Sequence, residues 1–207
     1  MSTRLLLVRH GQTAWNADGR HMGQLDVPLD KLGRAQALAV ARRMRTEQPA
    51  AIYSSDLGRA RETAAAIQSA VASRPEIRLD PRLRELQFGD WQGLTHSEMI
   101  QRDAAGLARW QADPLHVAPP NGETLLTLAG RVEAAYKDMC AAHPDQTIVV
   151  VGHGGALQVM IVAALELPLG ASRKLELSNA SLSELRSGDG GAILFLLNDT
   201  SHLAGVK

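Results

Sequence analysis

Two histidines stand at the ends of apolar runs. Leu5-Leu6-Leu7-Val8 leads into Arg9-His10-Gly11, and Ile148-Val149-Val150-Val151 leads into Gly152-His153-Gly154-Gly155. An imidazole can act as nucleophile or proton carrier near neutral pH. A buried strand ending on His-Gly would deliver one to the carboxyl edge of a sheet, where ligand crevices of open α/β sheets lie. The following glycine lets the backbone turn sharply and approach a ligand closely. Taken singly, either histidine reads as well as a solvated loop residue. Two such tips on two expected core strands favour one shared site.

Arginines indicate what that site would hold. Arg9 precedes the first histidine, and Arg59 lies in Ser54-Ser55-Asp56-Leu57-Gly58-Arg59-Ala60, a segment that follows a strand and opens a helix. Free N–H groups and the dipole at a helix start favour anions. A guanidinium forms paired contacts with phosphate oxygens. Spacing alone leaves Arg59 open as an ordinary surface charge, and Arg61 reads as one.

The elements that must position these groups alternate. Leu5–Val8, Ile52–Ser54, Ile77–Leu79 and Ile148–Val151 read as strands, the last from its β-branched run. A helix is expected from an Asp30 N-cap, with Leu32, Ala35, Leu38 and Ala39 on its apolar face. Asp56 is expected to cap the next helix, whose Ala60, Thr63, Ala64, Ile67 and Val71 follow the helical period. Thr95 with Glu98 has the form of a capping box. Asp113 to Asn121 is Pro-rich and reads as a loop. Thr124 opens a helix with Leu125, Leu128, Val132, Ala135 and Met139 on one side. An apolar helix after Gly155, with Met160 in the core, should run to about Leu167 and stop at Pro168. Leu182–Arg186 and Ile193–Leu197 flank Gly188-Asp189-Gly190-Gly191 as a hairpin. The implied fold class is α/β: a three-layer α/β/α sandwich with a mostly parallel mixed sheet and a C-terminal antiparallel hairpin.

Composition narrows the function classes. Lys plus Arg equals Asp plus Glu at 22 each, so no overall charge points to a nucleic-acid or membrane partner. Hydrophobic residues make up 45% of 207 residues, enough for one filled core, and the expectation is a single domain over residues 1–207. One cysteine, Cys140, rules out an internal disulfide framework. Leu5–Val8 is too short for a signal-peptide core. The apolar stretch Ala156–Leu167, broken by Gln158, is too short to span a bilayer. The expected location is the cytoplasm. The apolar edge Ile193–Leu197 makes a homodimer possible.

Four ordered segments resemble the histidine phosphatase superfamily, the phosphoglycerate-mutase-like group. They are Arg9-His10-Gly11-Gln12-Thr13, Ser55-Asp56-Leu57-Gly58-Arg59-Ala60, the Leu83 to Gly93 stretch, and Gly152-His153-Gly154-Gly155. Gly23–Leu29 and Pro120-Asn121-Gly122-Glu123-Thr124 are similar to further family segments. The resemblance implies that His10 takes the phosphoryl group and that Arg9, Arg59 and His153 surround it. It implies that Glu85 exchanges the proton and that Asn16 touches the phosphate. Gln12, Thr13 and Gly154 are further candidates for substrate contact. Gln12 departs from the glutamate commoner there. The same resemblance implies no metal and no cofactor, and a small phosphorylated substrate.

Within that group, Glu85-Leu86-Gln87-Phe88-Gly89-Asp90-Trp91 resembles the short phosphatases, among them alpha-ribazole phosphatase and the broad-specificity phosphatases, rather than the longer mutases. A phosphoglycerate mutase and a phosphoprotein phosphatase are the alternatives. Alpha-ribazole 5′-phosphate, sugar phosphates and phosphoglycerates remain open as substrates, with Asp18–Gln24 and Gly93–Asn121 as the loops that would select among them. Phe88 and Trp91 are expected to cover Glu85, and His153 is expected to act as an imidazolium. His21, His96, His116, His143 and His202 read as surface residues, His21 standing apart because it sits in the loop before Gly23, and Trp110 as a packing residue.

Overall fold

The apolar runs become the centre of a sheet. A computed structural model describes residues 2–206. The strands are β1 (Ser2–Arg9), β2 (Ala51–Ser54), β3 (Ile77–Leu79), β4 (Thr147–Gly152), β5 (Leu182–Gly188) and β6 (Gly191–Asp199). They form one sheet in the order β3-β2-β4-β1-β5-β6. The pairs β1–β4, β2–β4 and β2–β3 are parallel, and β1–β5 and β5–β6 are antiparallel. The closing hairpin therefore supplies the antiparallel edge.

Strand alternation sends successive side chains to opposite faces. Leu5, Leu7, Ile148 and Val150 pack against α5 (Leu125–Ala142) and α6 (Gly154–Ala164). Leu6, Val8, Val149 and Val151 pack against α2 (Lys31–Arg43) and α3 (Gly58–Ala70). These faces give the three layers. The short α1 (Ala14–Ala17) follows β1, and α4 (His96–Ala112) covers a smaller cluster of Trp91, Met99 and Leu107. No helix among the described residues is long and apolar enough to cross a membrane.

Local capping signals hold where the partner is near in sequence. The Asp30 side chain accepts from Gly33 N, Thr95 and Glu98 form a reciprocal capping box, and Thr124 accepts from Thr127 N. Each such cap contributes about 1 kcal/mol.

Several expectations are corrected. Asp56 does not cap α3; Leu57 occupies that position without a side-chain bond, because both Asp56 oxygens accept from Arg84, at 2.7 and 2.5 Å. The buried residues of α2 are Gly33, Ala37, Ala39, Val40 and Ala41, so Ala39 is buried as expected, whereas Leu38 is 55% exposed. The helix is turned so that Gly33 abuts the backbone at Gln12. Helix α6 stops at Ala164, earlier than Leu167, and Glu166 adopts a left-handed φ of 54°. The hairpin turn narrows to Asp189-Gly190. His143 is buried, with its ring bonded to Tyr53 Oη at 3.0 Å and Gln146 Oε1 at 2.8 Å. Met160 lies in the core as expected.

Candidate active site

Parallel β1 and β4 place Arg9 beside Gly152 in register. The residues that follow both strands therefore meet at one edge of the sheet. The His10 and His153 rings lie with centroids 5.0 Å apart, edge to face. Arg59 enters from the first turn of α3, fully buried, and its Nε donates to His10 Nε2 at 3.3 Å.

These contacts fix the tautomer of His10. Its Nδ1 faces the Gly11 carbonyl oxygen at 2.7 Å. A carbonyl can only accept and a guanidinium can only donate. Nδ1 therefore carries the proton, and Nε2 presents a lone pair. Burial holds the His10 pKa well below 6.5, and the Arg59 and Arg9 charges add to that. The ring is neutral and pre-set to attack through Nε2.

Arg59 is held by carbonyls rather than by an acid. Its Nη1 donates to Leu25 O at 2.7 Å and its Nη2 to Gly23 O at 2.8 Å. Burial lowers its pKa to about 10, so it remains a cation at neutral pH. Arg9 Nη1 donates to Leu177 O at 2.5 Å, while its buried Nε has no partner among the described residues. A buried donor without a partner is costly, and an anion would satisfy it.

His153 differs from expectation in charge. Burial, followed by the charges of Arg59, His10, Arg9 and Arg131, keeps its pKa well below 6.5. It is a neutral imidazole, not an imidazolium. Ser55 Oγ accepts from Leu57 N at 3.3 Å and lies 2.8 Å from His153 Nε2. With the serine hydroxyl donating, His153 keeps its proton on Nδ1, a buried atom that has no partner among the described residues.

Glu85 is held by backbone. Its Oε2 accepts from Gly155 N at 3.0 Å and its Oε1 from Leu86 N at 2.9 Å. Asn16 Oδ1 accepts from Thr13 N, Thr13 Oγ1 and Asn179 Nδ2. That leaves the Asn16 amide nitrogen for a ligand.

Arg9, His10, Asn16, Arg59 and Glu85 line one cavity of about 280 Å³. His153 does not line it and sits behind His10. Three other candidates fall outside the walls. Thr13 is fully buried as the cap of α1, and Gln12 donates its side chain to Asp30 at 3.0 Å. Gly155, not Gly154, forms the wall, although a Cβ on Gly154 would lie 3.6 Å from Arg9 Nε and 3.8 Å from Glu85 Oε2. Of the two aromatics expected over Glu85, Phe88 lines the cavity, and Trp91 packs on Met99 and Leu107 instead. Trp110 and His21 line it too, and Trp110 packs on Phe88 and Trp91, in keeping with its reading as a packing residue.

Other residues were not legible as site residues. Asn179 donates to the His10 carbonyl at 3.1 Å as well as to Asn16. Arg131 donates to the carbonyls of Arg82, Arg84 and Glu85 and pairs with Glu123. Gln24 reaches the Glu85 carbonyl at 3.1 Å. Glu123 and Gln24 lie in the two minor segments of the resemblance, whose work is thus to hold the backbone that carries Glu85. Nothing in the local pattern marks Asn179 or Arg131. Among the described residues no cluster of three or more His, Cys, Asp or Glu is arranged to hold a metal ion.

The family model described as histidine phosphatase superfamily (branch 1) matches residues 5–200. The chain belongs to the histidine phosphatase superfamily. The enzyme is 39% identical over 192 residues to the glucosyl-3-phosphoglycerate phosphatase of Mycobacterium tuberculosis, covering 88% of this chain and 84% of that one. It is 35% identical over 207 residues to the metal-independent phosphoserine phosphatase of Arabidopsis thaliana, covering 99% and 84%. The crystal structure of the alpha-ribazole phosphatase from Shigella flexneri superposes with a TM-score of 0.88 at 29% identity, covering 95% and 96%. Phosphoglycerate-mutase names occur among its relatives as well. By class this histidine phosphatase is a phosphoric monoester hydrolase.

Proposed function

We propose that the enzyme hydrolyses a small phosphomonoester through a phosphohistidine formed on His10, without a metal or cofactor. The observation that carries this reading is the fixed tautomer of His10, whose neutral Nε2 is held at the end of a cationic cavity. The Nε2 lone pair attacks phosphorus, and the bond from phosphorus to the ester oxygen breaks. Glu85 hands its proton to the departing oxygen. Water then attacks the phosphohistidine, Glu85 takes the proton back, and phosphate leaves as the N–P bond breaks. Arg9, Arg59 and the Asn16 amide bind the phosphoryl oxygens, and the His153 ring packs edge to face against His10. Catalysis of phosphoryl transfer is mostly positioning and charge stabilisation, which matches a site of guanidiniums held on backbone carbonyls.

A mutase uses the same first half-reaction and returns the group to a bound acid. Phosphate release, measured beside interconversion of phosphoglycerates, separates the two. The reading takes the cytoplasm as location, with the lone Cys140 unbridged. It takes the β6 edge, where Ile193 and Phe195 are exposed, as the place where a second copy would pair.

The esters named for relatives, with p-nitrophenyl phosphate, form the assay panel. Wild type should release phosphate and trap radiolabel as an acid-labile, alkali-stable phosphoenzyme. His10→Ala should lose both. Labelled enzyme or turnover surviving in that variant removes the assignment.

A further inference from the structure

The turn before β5 is built against the loop that carries the nucleophile. Ser181 O accepts from Arg9 N at 3.3 Å, and Ala180 N donates to the His10 carbonyl at 3.1 Å. The turn is itself held from behind: Ser178 N donates to Asn198 Oδ1 at 2.7 Å, and His202 Nε2 lies 2.9 Å from Ala180 O. On this fixed turn stands Asn179, half-buried and not among the residues that line the cavity. Backbone groups settle which way two amides face. Asn179 meets the His10 carbonyl at 3.1 Å, and a carbonyl can only accept, so the atom there is Nδ2. Asn16 meets Thr13 N at 3.1 Å, and a backbone N–H can only donate, so the atom there is Oδ1. Asn179 Nδ2 also donates to Asn16 Oδ1, at 3.2 Å. An Asn16 amide turned the other way would set its NH2 against two donors. It would also show the cavity an oxygen, an acceptor facing the acceptors of a phosphoryl group.

We propose that Asn179 is a positioning residue that aims the Asn16 NH2 at the phosphoryl group, within the hydrolysis proposed above, on which this inference rests. Asn179 does its work through Asn16 and touches no substrate. The same nitrogen holds the His10 carbonyl, so one side chain sets the nucleophile and the phosphoryl-binding amide relative to each other. A donor fixed in place beforehand needs no reorganisation when charge develops. Removing Asn179 strands no acceptor. His10 O keeps Ala180 N, and Asn16 Oδ1 keeps Thr13 N and Thr13 Oγ1. The fold should therefore tolerate Asn179→Ala, and the loss should appear at the phosphoryl end of the cavity.

The test is calorimetry with inorganic phosphate, beside kcat/KM for p-nitrophenyl phosphate and glycerol 3-phosphate. Asn179→Ala should weaken phosphate binding about three- to tenfold, the size of one lost hydrogen bond. It should lower kcat/KM by a like factor for both esters, because they share the phosphoryl end and differ only in the leaving group. Asn179→Asp keeps the shape but puts an acceptor where the donor was. It should lose more than Asn179→Ala, since Asn16 then turns its NH2 towards the carboxylate, and most of that excess should vanish in an Asn16→Ala background. In that background, which binds phosphate more weakly at the outset, adding Asn179→Ala should change binding by less than about twofold. Unchanged phosphate binding in Asn179→Ala overturns the inference, and so does a loss of the same size with and without Asn16. Phosphate binding does not depend on turnover. A wild type that shows this pattern but hydrolyses neither ester supports the inference and defeats the phosphatase reading instead.

Discussion

A histidine that attacks phosphorus needs a lone pair on one nitrogen and a fixed proton on the other. In this enzyme both conditions come from neighbours that can play only one part: a carbonyl at Nδ1 and a guanidinium at Nε2. The same surroundings carry a stability consequence. His10 and His153 are 1% and 0% exposed, with pKa values held well below 6.5. In the unfolded chain both titrate near 6.5. Above that pH neither state holds the extra protons, and these groups add no pH dependence. As pH falls below about 6.5 the unfolded chain gains protons that the folded chain refuses, so stability drops. Each histidine contributes a slope approaching about 1.4 kcal/mol per pH unit until its folded pKa is reached. The melting temperature should be level from pH 8 to 7 and fall from pH 6.5 to 5, and His10→Gln should flatten that fall. Parallel curves for the two proteins would contradict the account.

At the scale of elements, the loop after β1 is clamped by the start of α2. A Cβ on Gly33 would collide with the Gln12 backbone, and one on Gly11 with the Gly33 carbonyl. Two glycines back to back thus let a helix lie flush against the turn that carries His10. Gly33→Ala should cost about 1–3 kcal/mol through overpacking. It should also lower kcat more than a surface Gly→Ala change such as Gly130→Ala, where a Cβ meets nothing. Denaturant unfolding alongside kinetics checks both. This clamp explains what the sequence hid. Hydrophobic periodicity put Leu38 on the inner face of α2, but backbone contact at Gly33 sets the rotation of the helix. Asp56 looked like a cap until Arg84, distant in sequence, claimed its carboxylate. The strand-end histidines and the caps at Asp30, Thr95 and Thr124 were legible because their meaning is local. Asn179 and Arg131 act on residues far along the chain and leave no local trace.

The whole molecule follows the alternation that the apolar runs announced, with one sheet between two helical layers and the hairpin at its edge. Residue patterns sufficed here because β1 and β4 are buried on both faces, which demands unbroken apolar runs. The edge carries its own expectation. Ile193 and Phe195 are 61% and 52% exposed on β6, and a homodimer paired there should dissociate in Phe195→Lys. Sedimentation of both proteins over a range of concentrations decides it, and a wild type that is monomeric throughout removes the expectation. The direction of the hairpin has a practical corollary. β5 begins opposite Val8 and ends opposite Ser2, so the Asp189-Gly190 turn lies at the far end of β1 from His10, about 25 Å away at the usual rise per residue. A peptide tag spliced into that turn, or a solid support attached through it, would leave the mouth of the cavity facing open solution.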